Sequence, residues 1–374
     1  MTTQIKTKDR DSNIELLRIV CMAMIIAHHL VIHGGVLRNG AGQWRNLVWG
    51  ALLQPGGKIG FDCFIVISAW YGIGRNFKAE RFLKIAMQVV FYNVFGLLLT
   101  GWAVGFSSLS VRTWFGALFP IFGNSHGFAT AYLLFMLIMP FLNAVQDRLS
   151  TDNLKLLMAL LFGMQVWSGL FAGFIRFERW MSFESELNVF ALIYFAVCYV
   201  KKRPAPSSGI PQRMVWVGVL VFGWLAAGVL NALSVLRPES SVLYAAKQFI
   251  NDEFSPLNVA AGFCLFFLFK EMRVVKSVRI NCLAGHTLGI LLLHDHEYFR
   301  ESIWRILCVE KAYSFGGVSI FLYTLAVVTG IFALGALIDS LRVLFLEKAI
   351  VRTKLFAKAA QWIGKYAQVD FKRQ

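Results

Sequence analysis

The sequence predicts an all-α integral membrane protein of about ten transmembrane helices, with both termini on the cytoplasmic side. Three observations predict it. Hydrophobic residues make up 57% of the 374 residues and charged residues only 16%, whereas soluble domains run at about 45–50% and about 25%. A soluble sphere of this length has no interior large enough to hide that surface, and a bilayer does. The apolar residues fall in runs spread evenly along the chain. Lys and Arg fall in short clusters between them, so the net charge of +16 reads as positive-inside topology and no nucleic-acid partner is expected.

A helix needs about 20 mostly apolar residues to cross about 30 Å of hydrocarbon, and lipid cannot satisfy a bare backbone. The first run, residues 14–33, follows Lys6, Lys8 and Arg10 in the manner of a signal peptide. Glu15 and Arg18 interrupt it and no small-residue cleavage site follows, so it reads as a retained span. The remaining spans are 58–74, 82–104, 127–146, 153–175, 187–200, 213–234, 256–271, 282–298 and 317–345. Residues 114–122 are too short to cross and read as an interfacial or re-entrant piece, and the stretch from Lys201 to Gly209 reads as a linker. With the N-terminus inside, the inner segments hold 24 of the 37 Lys and Arg and the outer loops hold 11, while the outer loops carry nine of the 21 acids, among them Glu178, Glu239, Asp252 and Glu301. The chain divides into one polytopic membrane domain, 1–346, and a basic cytoplasmic tail, 347–374, suited to lie on anionic lipid. The six cysteines lie in or beside apolar runs without a CxxC, as small buried hydrophobes.

An ionisable group inside a membrane helix is costly and is a functional candidate by default. The first helix holds Glu15, Arg18, His28 and His29, with His33 at its outer end. At 100° per residue Glu15, Arg18 and His29 share one stripe while His28 points about 100° away. The plain structural alternative is an interfacial Glu15–Arg18 pair and a packed His29. The competing functional one is a base, because imidazole titrates near neutral pH. Between the second and third spans, Arg75, Lys78, Arg81 and Lys84 satisfy topology. They also suit a cytoplasmic phosphate clamp, Arg as a fork and Lys as a point charge. Near residue 295, His294, Asp295 and His296 suit a polar acceptor pocket. No third metal ligand is evident beside them, so no metal is expected.

These stretches together resemble acyltransferase family 3, the membrane acyltransferases that O-acetylate cell-surface sugars. Asn13 to His29 is similar to the family's opening, an acid followed by Arg three residues later and His eleven after that. Lys58 to Tyr71 resembles its second helix, and Arg81-Phe-Leu-Lys84 stands where the family has an Arg-x-x-Arg pair. Phe128 to Tyr132 with Pro140 to Asn143 resembles its fourth helix, and Gly285 to Asp295 its late Tyr-Leu-x-His motif. Glu15 replaces the commoner Asp, Lys84 the second Arg, Gly127 a usual Trp, and Leu292 the motif's Tyr. The resemblance implies a membrane O-acetyltransferase of the inner (plasma) membrane, with acetyl-CoA as cytoplasmic co-substrate and a glycan or lipid-linked sugar hydroxyl as acceptor. Carried onto this sequence, it implies His29, Arg18 and Glu15 as the catalytic group, Arg81, Lys84 and Arg75 as donor-binding cations, and His294, Asp295 and Tyr132 as acceptor-side residues. A transporter or flippase for a polysaccharide precursor is the alternative, since polar groups in helices also mark substrate paths; two matching halves with paired broken helices are not evident.

Overall fold

The computed structural model describes residues 11–36, 44–123, 127–166, 186–203, 211–243, 245–246, 255–273, 276–298, 300–312, 314–315 and 318–366. Among these every regular element is helical: α1 (Ser12–Ile32), α2 (Trp44–Gly72), α3 (Ala79–Val104), α4 (Val111–Leu118), α5 (Pro120–Gly123), α6 (Gly127–Arg148), α7 (Thr151–Val166), α8 (Glu186–Lys202), α9 (Gln212–Leu236), α10 (Pro256–Lys270), α11 (Val278–Ala284), α12 (Thr287–His294), α13 (Arg300–Ile306), α14 (Val309–Ala312), α15 (Val318–Arg342), α16 (Lys348–Val351) and α17 (Lys354–Tyr366). Five helical stretches are long and apolar enough to cross a membrane: α1, α3, α6, α9 and the continuous run Val318–Val351. The C-terminal part of the 153–175 span, Glu178, Asp252 and most of the 201–209 linker lie outside the described residues.

Local chemistry accounts for the helix ends. Asp11 caps α1 by accepting from the Asn13 amide, Ser110 caps α4 and Ser277 caps α11, the ordinary use of short polar side chains at a helix start. The start of α1 is also tied to the α11 region. Ser12 Oγ donates to Asn281 at 2.8 Å, the Ser277 amide donates to Ser12 Oγ, and Asn13 donates to the Met272 carbonyl at 2.8 Å.

Two expected boundaries are corrected. The second helix begins at Trp44, not at residue 58, and runs through Gln54-Pro55-Gly56-Gly57, a sequence that by itself reads as a turn. Proline has no N–H to give the Ala51 carbonyl four residues back, and neighbouring helices bond and pack against this stretch of α2. Trp224 Nε1 of α9 donates to Leu52 O at 2.7 Å, and His28 Nδ1 of α1 donates to Gln54 O at 2.6 Å. The Ala51 carbonyl, which Pro55 leaves without its helical donor, faces Gly228, where a Cβ would stand 2.9 Å from it. The expected span 282–298 is instead two short helices, α11 and α12, broken at Gly285–His286.

α2 is the central strut, packed by α1, α8, α9 and α10. One buried cluster joins α1, α2, α6, α8 and α10 around Leu17, Ile65, Phe135 and Phe190. A second joins α1 to α12 and α15 around Ile26, Ile290 and Ile331, and a third joins α3, α6 and α12 around Val89, Leu133 and Leu292. α17 packs on α3 through Phe356 and Ala360, and leaves Leu355 and Trp362 exposed.

The α1–α2 contact is testable. A Cβ at Gly57 would meet the His28 ring at 2.2 Å, whereas nothing lies within 4 Å of one at Gly163. Gly57→Ala should destabilise the protein by about 1–3 kcal/mol, the usual cost of overpacking. Gly163→Ala should leave it unchanged or raise it by about 0.5–1 kcal/mol. Thermal unfolding of the detergent-solubilised variants reads both.

Candidate active site

α1 carries polar groups at its two ends and joins a different partner set at each. At its C-terminal end, His29 Nδ1 lies 2.9 Å from His294 Nε2 of α12 and 3.9 Å from Asp295 Oδ1. His294 Nδ1 lies 2.6 Å from the Ile290 carbonyl. A carbonyl only accepts, so Nδ1 of His294 carries the proton. With both rings neutral, His294 Nε2 is then the acceptor and His29 Nδ1–H the donor. That assignment leaves His29 Nε2 with its lone pair. His33, one turn on, places Nε2 3.4 Å from Asp295 Oδ1, and Arg300 approaches the same oxygen at 3.6 Å. The donor atoms of His29, His33 and Asp295 all lie within 4.8 Å of one another, so two potential ligands at the C-terminal end of α1 meet Asp295, and neither His294 nor His296 is among the three. His296, next in sequence, packs instead against Gly96 of α3.

His28 belongs to a different environment. It is buried, bonded to Gln54 O, and part of the α1–α2 contact. The helical wheel separates His28 from His29, and the structure places the two rings against different helices accordingly.

At the N-terminal end of α1, Arg18 Nε stands 3.8 Å from Glu15 Oε2 in an i,i+3 pair. Arg81 of α3 donates to the Tyr132 hydroxyl at 3.5 Å, which also lies 3.3 Å from Ser68 Oγ of α2. Arg18 and Arg81 both act electrostatically on that hydroxyl. Tyr132, expected beside His294 and Asp295, thus has its partners in the cationic pocket at the other end. Arg75 lies over the Tyr71 ring at 6.0 Å. The turn that carries it is held by Asn143, which accepts from the Gly74 amide at 3.1 Å and donates to the Arg75 carbonyl at 3.2 Å. Tyr194 donates to the same Asn143 oxygen at 2.6 Å. Lys84, one turn beyond Arg81, points to Glu347 at 3.9 Å instead.

Residues 11–339 match the acyltransferase domain of acyltransferase family 3. The chain belongs to that family. It is a membrane acyltransferase, and the match runs from the start of α1 to near the end of α15. No curated protein and no solved structure shows a significant match to the chain.

The family member carries one polar centre that motif reading misses. Asp339 of α15 is fully buried and accepts from Gln88 and Tyr92 of α3 at 3.0 Å each, from His286 at 2.8 Å and from Arg342 Nε at 2.7 Å. Arg342 continues to Glu347 at 2.9 Å, the carboxylate that Lys84 faces. The signal was present in the sequence, since Asp339 and Arg342 are opposite charges three residues apart within an apolar run. The network pins His286, at the break before α12, to α15 and α3, and so fixes the short helix whose far end bears His294.

Removing one partner of a buried charge pair costs about 3–5 kcal/mol. Asp339→Ala takes one hydrogen-bond partner from each of Arg342, His286, Gln88 and Tyr92. It should sharply lower the yield of monodisperse protein from membranes, with Asp339→Asn intermediate. Size-exclusion profiles of the solubilised variants check this.

Proposed function

We propose that this acyltransferase moves an acetyl group from cytoplasmic acetyl-CoA to a hydroxyl of a cell-surface or lipid-linked glycan, across the inner (plasma) membrane. In this reading the chain has about ten spans with both termini inside, as the Lys and Arg distribution supports. The observation that carries the chemistry is the His29–His294–Asp295 arrangement. A base needs a lone pair free to take a proton and neighbours that fix its tautomer. His294 holds His29 Nδ1–H, and Asp295 stands close enough to stabilise the imidazolium that forms.

His29 Nε2 takes the proton of the acceptor hydroxyl as its oxygen attacks the thioester carbonyl. The C–S bond breaks, the acetyl group passes to the sugar oxygen, and the proton passes to the leaving CoA sulfur. At the other end of α1, Arg81 and Arg75, with Arg18 held by Glu15, offer cations to the donor's phosphates, and Lys84 adds a charge at the rim. Eleven residues of helix separate Arg18 from His29, about 16 Å along the axis, a distance suited to an extended thioester arm.

Transfer from labelled acetyl-CoA, normalised to membrane protein, tests the reading directly. A general base contributes about 10²–10⁴-fold, so His29→Ala should abolish detectable transfer. His28→Ala should melt at lower temperature yet keep at least about a tenth of the turnover, because its role is to hold α2. Equal activity in the two variants overturns the assignment of the base. Surface glycans analysed by mass spectrometry with and without the protein should differ by the acetyl mass.

The two candidate phosphate cations should also separate kinetically. Phosphate contacts are mostly uniform binding, which appears in KM rather than in kcat. Arg81→Ala should raise the KM for acetyl-CoA clearly more than Lys84→Ala does, because Lys84 already faces Glu347. Equal effects would show that the Glu347 pairing does not hold Lys84 back from the donor.

A further inference from the structure

We propose that the C-terminal end of α1 is also a binding site for a zinc-class divalent cation, formed by His29 Nδ1, His33 Nε2 and Asp295 Oδ1, and that the bound cation switches the acyltransferase off. The inhibitory half of this proposal rests on His29 being the base; the binding half does not.

The donor set is the first argument. Two imidazoles four residues apart on one helical face plus a carboxylate from a second element is a zinc-type combination of nitrogen and oxygen ligands. Zinc bonds to such atoms are about 2.0–2.2 Å, which puts tetrahedral ligand atoms about 3.3 Å apart. His33 Nε2 and Asp295 Oδ1 already stand at 3.4 Å, and His29 Nδ1 and Asp295 Oδ1 at 3.9 Å. All three fall within 4.8 Å, so small side-chain rotations close the set and leave the fourth position for water.

The state of Asp295 is the second argument. Its Oδ1 is buried and accepts no hydrogen bond among the described residues. Three groups face it from ion-pair distance instead, His29, His33 and Arg300. A buried carboxylate oxygen without a hydrogen bond is costly, and a cation at the centre of the three donors satisfies it. Arg300 is more than a third exposed and can turn to Oδ2 or to water.

The consequence follows from the tautomer. A metal on His29 takes the Nδ1 lone pair, so the ring proton moves to Nε2. Nε2 is the atom that has to receive the acceptor's proton, and in the metal-bound form it has no lone pair left. Coordination also breaks the His29–His294 hydrogen bond. His33 takes no part in the proposed transfer chemistry, so it separates metal binding from catalysis.

The test uses full-length protein purified in detergent with a histidine-free tag. After equilibration with zinc chloride and removal of free metal, the wild type should retain about one zinc per chain and His33→Gln essentially none. Cobalt(II) loaded in its place should give the visible absorption of a tetrahedral site in the wild type alone. In the transfer assay zinc should inhibit the wild type, EDTA should restore it, and His33→Gln should keep its basal rate. Loss of a direct ligand costs at least the about tenfold in affinity that second-shell changes cost, so the inhibitory zinc concentration for His33→Gln should rise by about tenfold or more. Equal zinc retention by the two proteins, or retention by neither, overturns the site. Retention by the wild type alone, without acetyl transfer in the absence of zinc, leaves the metal site standing and removes the transferase reading.

Discussion

Every backbone polar group that enters hydrocarbon must find its partner inside the protein, and Pro55 of α2 raises that demand at the Ala51 carbonyl. The Pro-Gly-Gly stretch is a poor helix former that sits where α2 meets α1 and α9. Trp224 and His28 donate to the carbonyls of Leu52 and Gln54 beside it, and Gly228 allows the α9 backbone to close over Ala51. The His28 bond fixes the rotation of α1. His28 is committed to α2, and a helix turns about 100° per residue, so His29 cannot face α2 as well. It faces α12 and meets His294. The position of the proposed base is thus a consequence of how α1 is bonded to the neighbouring helix through His28.

The partner of His29 is held by a comparable device. α12 has only eight residues, too few to be steadied by its own backbone bonds. Its two ends are tied instead. At one end His286 bonds to Asp339, which also collects α3 through Gln88 and Tyr92. At the other, His294 is bonded to the Ile290 carbonyl and to His29, while Ile290 and Leu292 between them are buried in separate clusters. A fully satisfied polar network of this kind specifies one arrangement, and a partly satisfied one would be worse than an apolar core. The broken helix is therefore a rigid presenter of His294.

Much of this was legible in the sequence. Apolar runs and their flanking charges gave an all-helical membrane domain, and the stripe of Glu15, Arg18 and His29 was readable from helical periodicity alone. The start of α2 was not, because Gln-Pro-Gly-Gly has the local chemistry of a turn, and the helix through it is packed and bonded by residues far away in sequence, among them His28 and Trp224. His33 was visible as a polar residue at a helix end. Its meeting with Asp295 was not, since their proximity depends on the packing of α1 against α12. The contact of Tyr132 with Arg81 was not legible for the same kind of reason, because a motif gives a residue's neighbours along the chain and not the reach of Arg81 from another helix. Asp339 carried a readable signal, a charged pair inside an apolar helix, but its four donors come from three separate segments.

The distribution of polarity along α1 bears on what kind of donor suits the proposed reaction. Between Arg18 and His29 the helix reads Ile-Val-Cys-Met-Ala-Met-Ile-Ile-Ala-His, and the one polar side chain in that stretch, His28, is turned to α2. On α1 itself the two polar groups are thus separated by about three turns of apolar side chains. In the proposed reaction the donor's phosphates would stay with Arg81, Arg75 and Arg18 while its thioester arm extends along α1, and the acceptor hydroxyl would reach His29 from the opposite end. With cations at one end of α1 and the proposed base at the other, the placement of these residues suits acyl transfer better than passage of a whole polar substrate.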